Sequence, residues 1–201
     1  MMSANDEEMD LKDRLNMIES MIAEGRRTTE SWGWVFVLWG IAYYVALVWA
    51  AHGGNVVAWP VTMIAAAILS GVTKGRRVRN QPETTLRRAI GSIWVAMGAS
   101  LFILLVALGW SGHITDVRVL IAIVTAMLAV ANLASSLTLR WKVQFGCAVV
   151  WLAASVAVCY VADNLVMPVF VVAIFIGQIA FGLYGMMCEA KTRKLRGASH
   201  A

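Results

Sequence analysis

Residues 119–139 read VLIAIVTAMLAVANLASSLTL, a run of 21 residues without Asp, Glu, Lys or Arg. At 1.5 Å per residue a helix of that length spans ~30 Å, the thickness of a bilayer's hydrocarbon core. Five more uncharged stretches flank it: Trp32–Ala51, Val56–Thr73, Ala89–Gly109, Val143–Ala162 and Leu165–Cys188. The chain of 201 residues is 60% apolar and 14% charged, whereas a soluble domain carries about 25% charged residues. In lipid every backbone N–H and C=O must be bonded within the segment, so the stretches are expected to be helices. Nothing alternates with the ~10-residue period of a membrane barrel strand. The expected fold class is all-α. It is a polytopic membrane protein with six transmembrane helices as three hairpins, preceded by a cytoplasmic amphipathic helix. The expected organisation is residues 1–30 as amphipathic helix and linker, 31–189 as the transmembrane domain and 190–201 as a basic tail.

The net charge of +5 suggests nucleic acid only until the cations are placed. Sixteen of the 17 Lys and Arg residues lie in Met1–Ser31, Lys74–Arg88, Arg140–Lys142 and Glu189–Ala201. The opposite loops, around His52, His113 and Asp163, hold only Arg118. By the positive-inside rule that asymmetry puts both ends in the cytoplasm. The basicity therefore reads as a topology signal, and the partner it implies is the bilayer, not nucleic acid. Met1–Glu30 carries eight acids and four bases with no apolar core region, so it does not read as a signal peptide. The first span is expected to serve as an uncleaved signal-anchor. Cys147, Cys159 and Cys188 lie within spans or at their ends, an odd count that argues against a disulfide framework.

Leu11, Leu15, Ile18 and Ile22 follow the spacing of one helix face, with acids at the start and Arg26-Arg27 at the end. This stripe must bury itself on the bilayer interface, on the ends of the spans, or on a protein partner or second copy of the chain. Its acidic start suits protein better than anionic lipid. The basic stretch Lys74–Arg88 is a second cytoplasmic feature, able to touch headgroups or dock the acidic N-terminal segment. Each hairpin opens on a basic pair and turns through a polar loop. Pro60 and Pro168 sit where a return helix begins and a missing N–H costs nothing, and Asp116 suits the same place in the second hairpin. Duplication and the general grammar of hairpins both account for this. Small pairs spaced by four, Ala67–Gly71, Ala96–Ser100, Ala122–Ala126, Ala153–Ala157 and Ala173–Gly177, are expected to let helices approach closely. Trp32, Trp34, Trp49, Trp59, Trp110 and Trp141 are expected as an interfacial belt, and Trp39, Trp94 and Trp151 as packing.

Candidate chemistry is sparse. His52, His113 and Asp163 on the outer face are the types that could hold a metal, yet they have no local ligand spacing, and solvated loop residues account for them equally well. Within the spans stand Asn132, Gln144 and Gln178, with Tyr43, Tyr44, Ser100, Thr125, Ser135, Ser136, Ser155 and Tyr184. Asn132 and Gln178 must face other helices or a cavity, either as interhelical hydrogen bonds or as a polar lining for a small neutral solute. Ion-coupled carriers usually place charge in the membrane, and a hydrolase needs a base for its nucleophile. The spans offer neither, and no phosphate-binding glycine motif occurs. No enzyme, catalytic residue, metal or other cofactor is therefore expected.

Ile18-Glu-Ser-Met21-Ile22, followed by Trp32-Gly-Trp-Val-Phe36-Val-Leu-Trp39-Gly40, resembles the opening of a group of bacterial inner-membrane proteins with no assigned activity. The likeness covers about the first 45 residues and implies a bacterial inner-membrane location, with no functional residue to carry over. The three-hairpin plan is similar in architecture to the HdeD-like acid-resistance membrane proteins. The expected function is a non-enzymatic scaffold or sensor-like interaction protein. The alternative is a small-solute channel or carrier lined by Asn132 and Gln178.

Overall fold

The computed structural model describes residues 11–20, 33–53, 57–78, 85–112 and 116–198. Among them there is no strand. Residues 11–20 form helix α1. It is followed by α2 (Gly33–Gly53), α3 (Ala58–Val78), α4 (Thr85–Ser111), α5 (Val117–Leu139), α6 (Lys142–Tyr160) and α7 (Asp163–Ile174). A π-helical segment, Phe175–Ala180, joins α7 without a break to α8 (Phe181–Ala198). Five helical stretches are long and apolar enough to cross a membrane, the last running from α7 into α8, and α3 contributes a shorter apolar run, Ala58–Thr73. The basic stretch after Thr73 is helical at both ends, since α3 continues to Val78 and α4 begins at Thr85. The basic tail, too, is helical as far as Ala198.

Local chemistry sets the helix ends. Asp116 caps α5, its carboxylate accepting from the Arg118 backbone N–H at 2.8 Å. At the other end of α5, Arg140 takes the left-handed conformation at φ 50°, which costs a non-glycine residue about 1–2 kcal/mol. Two bonds offset it: Arg140 N–H to the Leu137 carbonyl at 3.4 Å and Trp141 N–H to the Ser136 carbonyl at 3.0 Å. This is a Schellman ending, completed by burial of Trp141. Pro168 differs from expectation. It is the sixth residue of α7, in the second turn, so its missing N–H removes the bond to the Asn164 carbonyl.

Sequential helices pack as the pairs α2–α3, α4–α5 and α6–α7, but the most extensive interface is between α5 and α6, which belong to different expected hairpins. Helix α2 lies between α3 on one side and the α7–π–α8 rod on the other. Aromatic rings lock this arrangement: Tyr43 of α2 meets Trp59 of α3 at 6.0 Å and Phe170 of α7 at 6.2 Å. Near the basic end, Phe36 sits edge-on to Trp94 of α4 at 5.2 Å and to Phe181 of α8 at 5.0 Å. Helix α4 is peripheral, with 6% of its apolar stretch buried against 39% in α5.

The small-residue pairs mostly do not make the close contacts expected of them. Ala67, Gly71, Ala96, Ser100 and Ala153 are exposed, and a Cβ on Gly71 would meet nothing within 4 Å. Of the five pairs, only Ala173–Gly177 is buried at both positions. The tightest crossing is instead α2 on α8. A Cβ on Gly33 would come within 2.5 Å of the Gly182 carbonyl oxygen, and one on Gly182 within 2.6 Å of the Gly33 carbonyl. The aromatic belt is partial as well: Trp49 and Trp110 are exposed, while Trp141 is buried and Trp59 turns inward onto Phe170. Trp32 lies outside the described residues.

Candidate functional site

Most bonds between helices come from hydroxyls, an indole, a thiol and a guanidinium. Trp39 Nε1 donates to Ser70 Oγ at 3.1 Å, Tyr44 OH to the Val171 carbonyl at 2.8 Å and Ser155 Oγ to the Ala122 carbonyl at 3.0 Å. The amides expected to do this do not. Asn132 Nδ2 donates within its own helix, to the Leu128 carbonyl at 2.9 Å, and its Oδ1 has no partner among the described residues. Gln178 Oε1 is likewise buried without a donor.

Other buried polar side chains stand on α5 and α6, the pair that packs most extensively. The buried face of α5 carries Thr125, Asn132, Ser135 and Ser136, and that of α6 carries Gln144, Cys147, Ala148 and Trp151. Thr125 and Ser136 are satisfied by carbonyls of their own helix, those of Ile121 and Leu133. Gln144 is fully buried, and neither its amide atoms nor the buried Ser135 Oγ has a partner among the described residues. The Ser155–Ala122 bond sets the register of the antiparallel pair. Eleven residues back along α6 from Ser155 is Gln144, and eleven forward along α5 from Ala122 is Leu133, beside Asn132 and Ser135.

The π segment packs against α6 and α2. Cys147 Sγ donates to the Gly177 carbonyl at 3.2 Å, and a Cβ on Gly177 would overlap the Trp151 indole. Gln178 therefore lies within about one helical turn, ~5 Å, of Gln144 in depth. From α2, Gly40 presses on it, such that a Cβ there would meet the Gln178 Cβ at 3.1 Å. π-bulges of this kind recur at functional sites, because the extra residue reorients side chains and frees carbonyls.

Four side chains from three elements, Asn132, Ser135, Gln144 and Gln178, thus carry five buried atoms with no partner among the described residues. Each costs about 1–3 kcal/mol if left so, a total comparable to the ~5–15 kcal/mol that holds a whole domain folded. The indole N–H of Trp94 is also buried with no acceptor among the described residues.

Of the three loop candidates, Asp163 is engaged by Arg118. Arg118 reaches from α5 to the carbonyls of Val158 at 2.5 Å and Val161 at 2.8 Å, and to Asp163 Oδ1 at 2.5 Å. The one cation on that face closes the end of α6 and the start of α7, a role the sequence reading missed. Nothing in a sequence marks a cation as capping a helix 40 residues away. Asp163 is thereby paired with Arg118 rather than with a histidine. His52 is exposed, its Nδ1 at 3.0 Å from the Val48 carbonyl, and His113 lies outside the described residues. Among the described residues no three metal-binding side chains converge. Cys147 is buried, Cys188 half-buried and Cys159 exposed.

An open groove of about 400 Å³ runs along α5 beside Arg118, lined by Val119, Ala122, Ile123, Ala126 and Cys159. Neither Asn132 nor Gln178 borders it. At the other end of the chain, every residue of α1 is exposed, Leu11 at 58%, Leu15 at 53% and Ile18 at 54%. Ile22, the last position of that stripe, lies outside the described residues. Fold and composition together define an all-helical protein suited to a lipid bilayer. Compared with protein-family models, curated proteins and solved structures, the chain matches none.

Proposed function

We propose that this chain is a six-span protein of a bacterial inner membrane, both ends cytoplasmic, and that it works without catalysis as a membrane scaffold or sensor-like interaction protein. Its N-terminal helix is the engaging element. The observation that carries this reading is the unburied stripe on α1: three large apolar side chains, each more than half exposed, are left uncovered by the other described residues. An amphipathic helix holds an apolar face open only if something outside its own fold covers it. The acids around the stripe favour a protein surface, such as a basic segment of a second copy, over anionic headgroups.

The sixth crossing is α3. Its 16 apolar residues rise ~24 Å, short of the ~30 Å core. The helix continues to Val78, which extends it into the headgroup layer, where cations are at home. Deleting Met1–Gly25 tests the functional reading. Loss of complex formation, with membrane insertion unchanged, is the expected result, whereas unchanged assembly in mild detergent removes it.

A second reading, a small-solute path, has one observation in its favour. The amides of Asn132, Gln144 and Gln178 are buried with unpartnered atoms, though the open groove touches none of them. Flux into proteoliposomes measures it directly.

A further inference from the structure

We infer that Asn132, Ser135, Gln144 and Gln178 form a binding site for one small uncharged hydrogen-bonding molecule, water or a solute of amide size, held between α5, α6 and the π segment. This narrows the solute reading from passage to binding. It rests on the same buried amides, and binding is measured apart from flux.

The atom types select the ligand. Asn132 Oδ1, Gln144 Oε1 and Gln178 Oε1 only accept, Gln144 Nε2 only donates, and Ser135 Oγ does either. Acceptors outnumber donors, which fits a molecule with at least two N–H or O–H groups and one acceptor of its own. A bare cation would meet the Gln144 N–H dipoles, and an anion would meet three carbonyl oxygens. The cation finds no carboxylate, because the apolar stretches hold no Asp or Glu and Arg140 and Lys142 stand beside Gln144, and the anion is turned away by the three oxygens. Burying an uncompensated charge there is costly, whereas burying a neutral partner satisfies the atoms already present. The frame around these atoms is built. Gly40 and Gly177 let α2 and the Trp151 ring close against the π segment, and Cys147 fixes that segment to α6. Large ligands are excluded by the buried neighbours Leu128, Cys147 and Trp151.

The chain holds three glutamines, Gln81, Gln144 and Gln178, so side-chain ¹⁵N-glutamine labelling of the full-length protein in lipid nanodiscs gives two reporters in the site and one outside it. Acetamide is the solute probe. Saturable shifts of the Gln144 and Gln178 amide signals, with Gln81 unmoved, identify an amide-sized solute site. Cross-peaks from both amides to water, with no acetamide response, identify water as the occupant. If neither appears, the site does not exist. Asn132→Leu keeps both reporters and removes one acceptor. It should weaken acetamide about tenfold, or, where water is the occupant, remove the water cross-peaks; a tenfold loss corresponds to about 1.4 kcal/mol. Ser135→Ala changes volume least and covers the case in which the leucine variant fails to fold. Undiminished binding in a folded variant of both kinds overturns the site.

Discussion

At the residue scale, the informative side chains are the polar ones, and their value depends on what lies within 3 Å. Arg118 could be read as a loose loop cation or half of a surface ion pair. Its contacts argue otherwise, because two of its three bonds go to carbonyls at the end of α6. Asp163, the third partner, is almost fully exposed at 99%, where an ion pair is screened by solvent. Arg118→Met should therefore lower the melting temperature in detergent, because it removes the Nη1 group that donates to both carbonyls. Each charge-assisted bond lost is worth about 1.5–3 kcal/mol. Asp163→Asn should leave the melting temperature unchanged. Equal losses from the two variants would mean that the ion pair, not the carbonyl clamp, holds this end.

At the scale of elements, the bundle is held by a few close backbone approaches. The α2–α8 crossing at Gly33 and Gly182 leaves no space for a methyl group on either side. Gly182→Ala should cost about 1–3 kcal/mol through forced separation of the two helices. Gly71→Ala, where a Cβ meets nothing, should be neutral or stabilising by about 0.5–1 kcal/mol from helix propensity. Thermal unfolding of the two variants side by side checks this, and a similar loss in both would contradict the crossing. The sequence offered five small pairs spaced by four as candidates for such contacts, yet Gly33 and Gly182 belong to none of them. They are far apart in sequence, and only the packing of α8 against α2 makes them partners.

At the scale of the whole molecule, topology is the main expectation. Fusing a reporter after Ala201 should give cytoplasmic activity, and inserting it after Gly112 should give periplasmic activity. An external C-terminus with a cytoplasmic N-terminus would mean an odd number of crossings and would remove α3 as a span. The extents of the uncharged stretches were legible before any coordinates. The expected span Val119–Leu139 differs from α5 (Val117–Leu139) only at its start, because a charge interrupts hydropathy sharply at each end. Residues 11–20 are helical, and every one of them is exposed, so exposure does not single out the stripe Leu11, Leu15 and Ile18. The polar site was legible only in part. Asn132 and Gln178 stood out as amides in apolar runs, but Gln144, beside the basic pair that opens α6, drew less notice. It proved to be the fully buried member, with neither amide atom partnered among the described residues.

The sequence by itself determined that this chain is helical, that lipid is its natural solvent, and where each apolar run starts and stops. Those properties follow from the cost of burying charge and of leaving backbone groups unbonded in hydrocarbon. Only the tertiary structure decided which faces meet, that α5 and α6 pair most extensively, and that Gln144, Asn132, Ser135 and Gln178 are all buried. In water, an apolar stripe on a helix tells inside from outside. Around a bundle in lipid the exterior is as apolar as the interior, so the residue pattern carries little information about which side of a helix is buried.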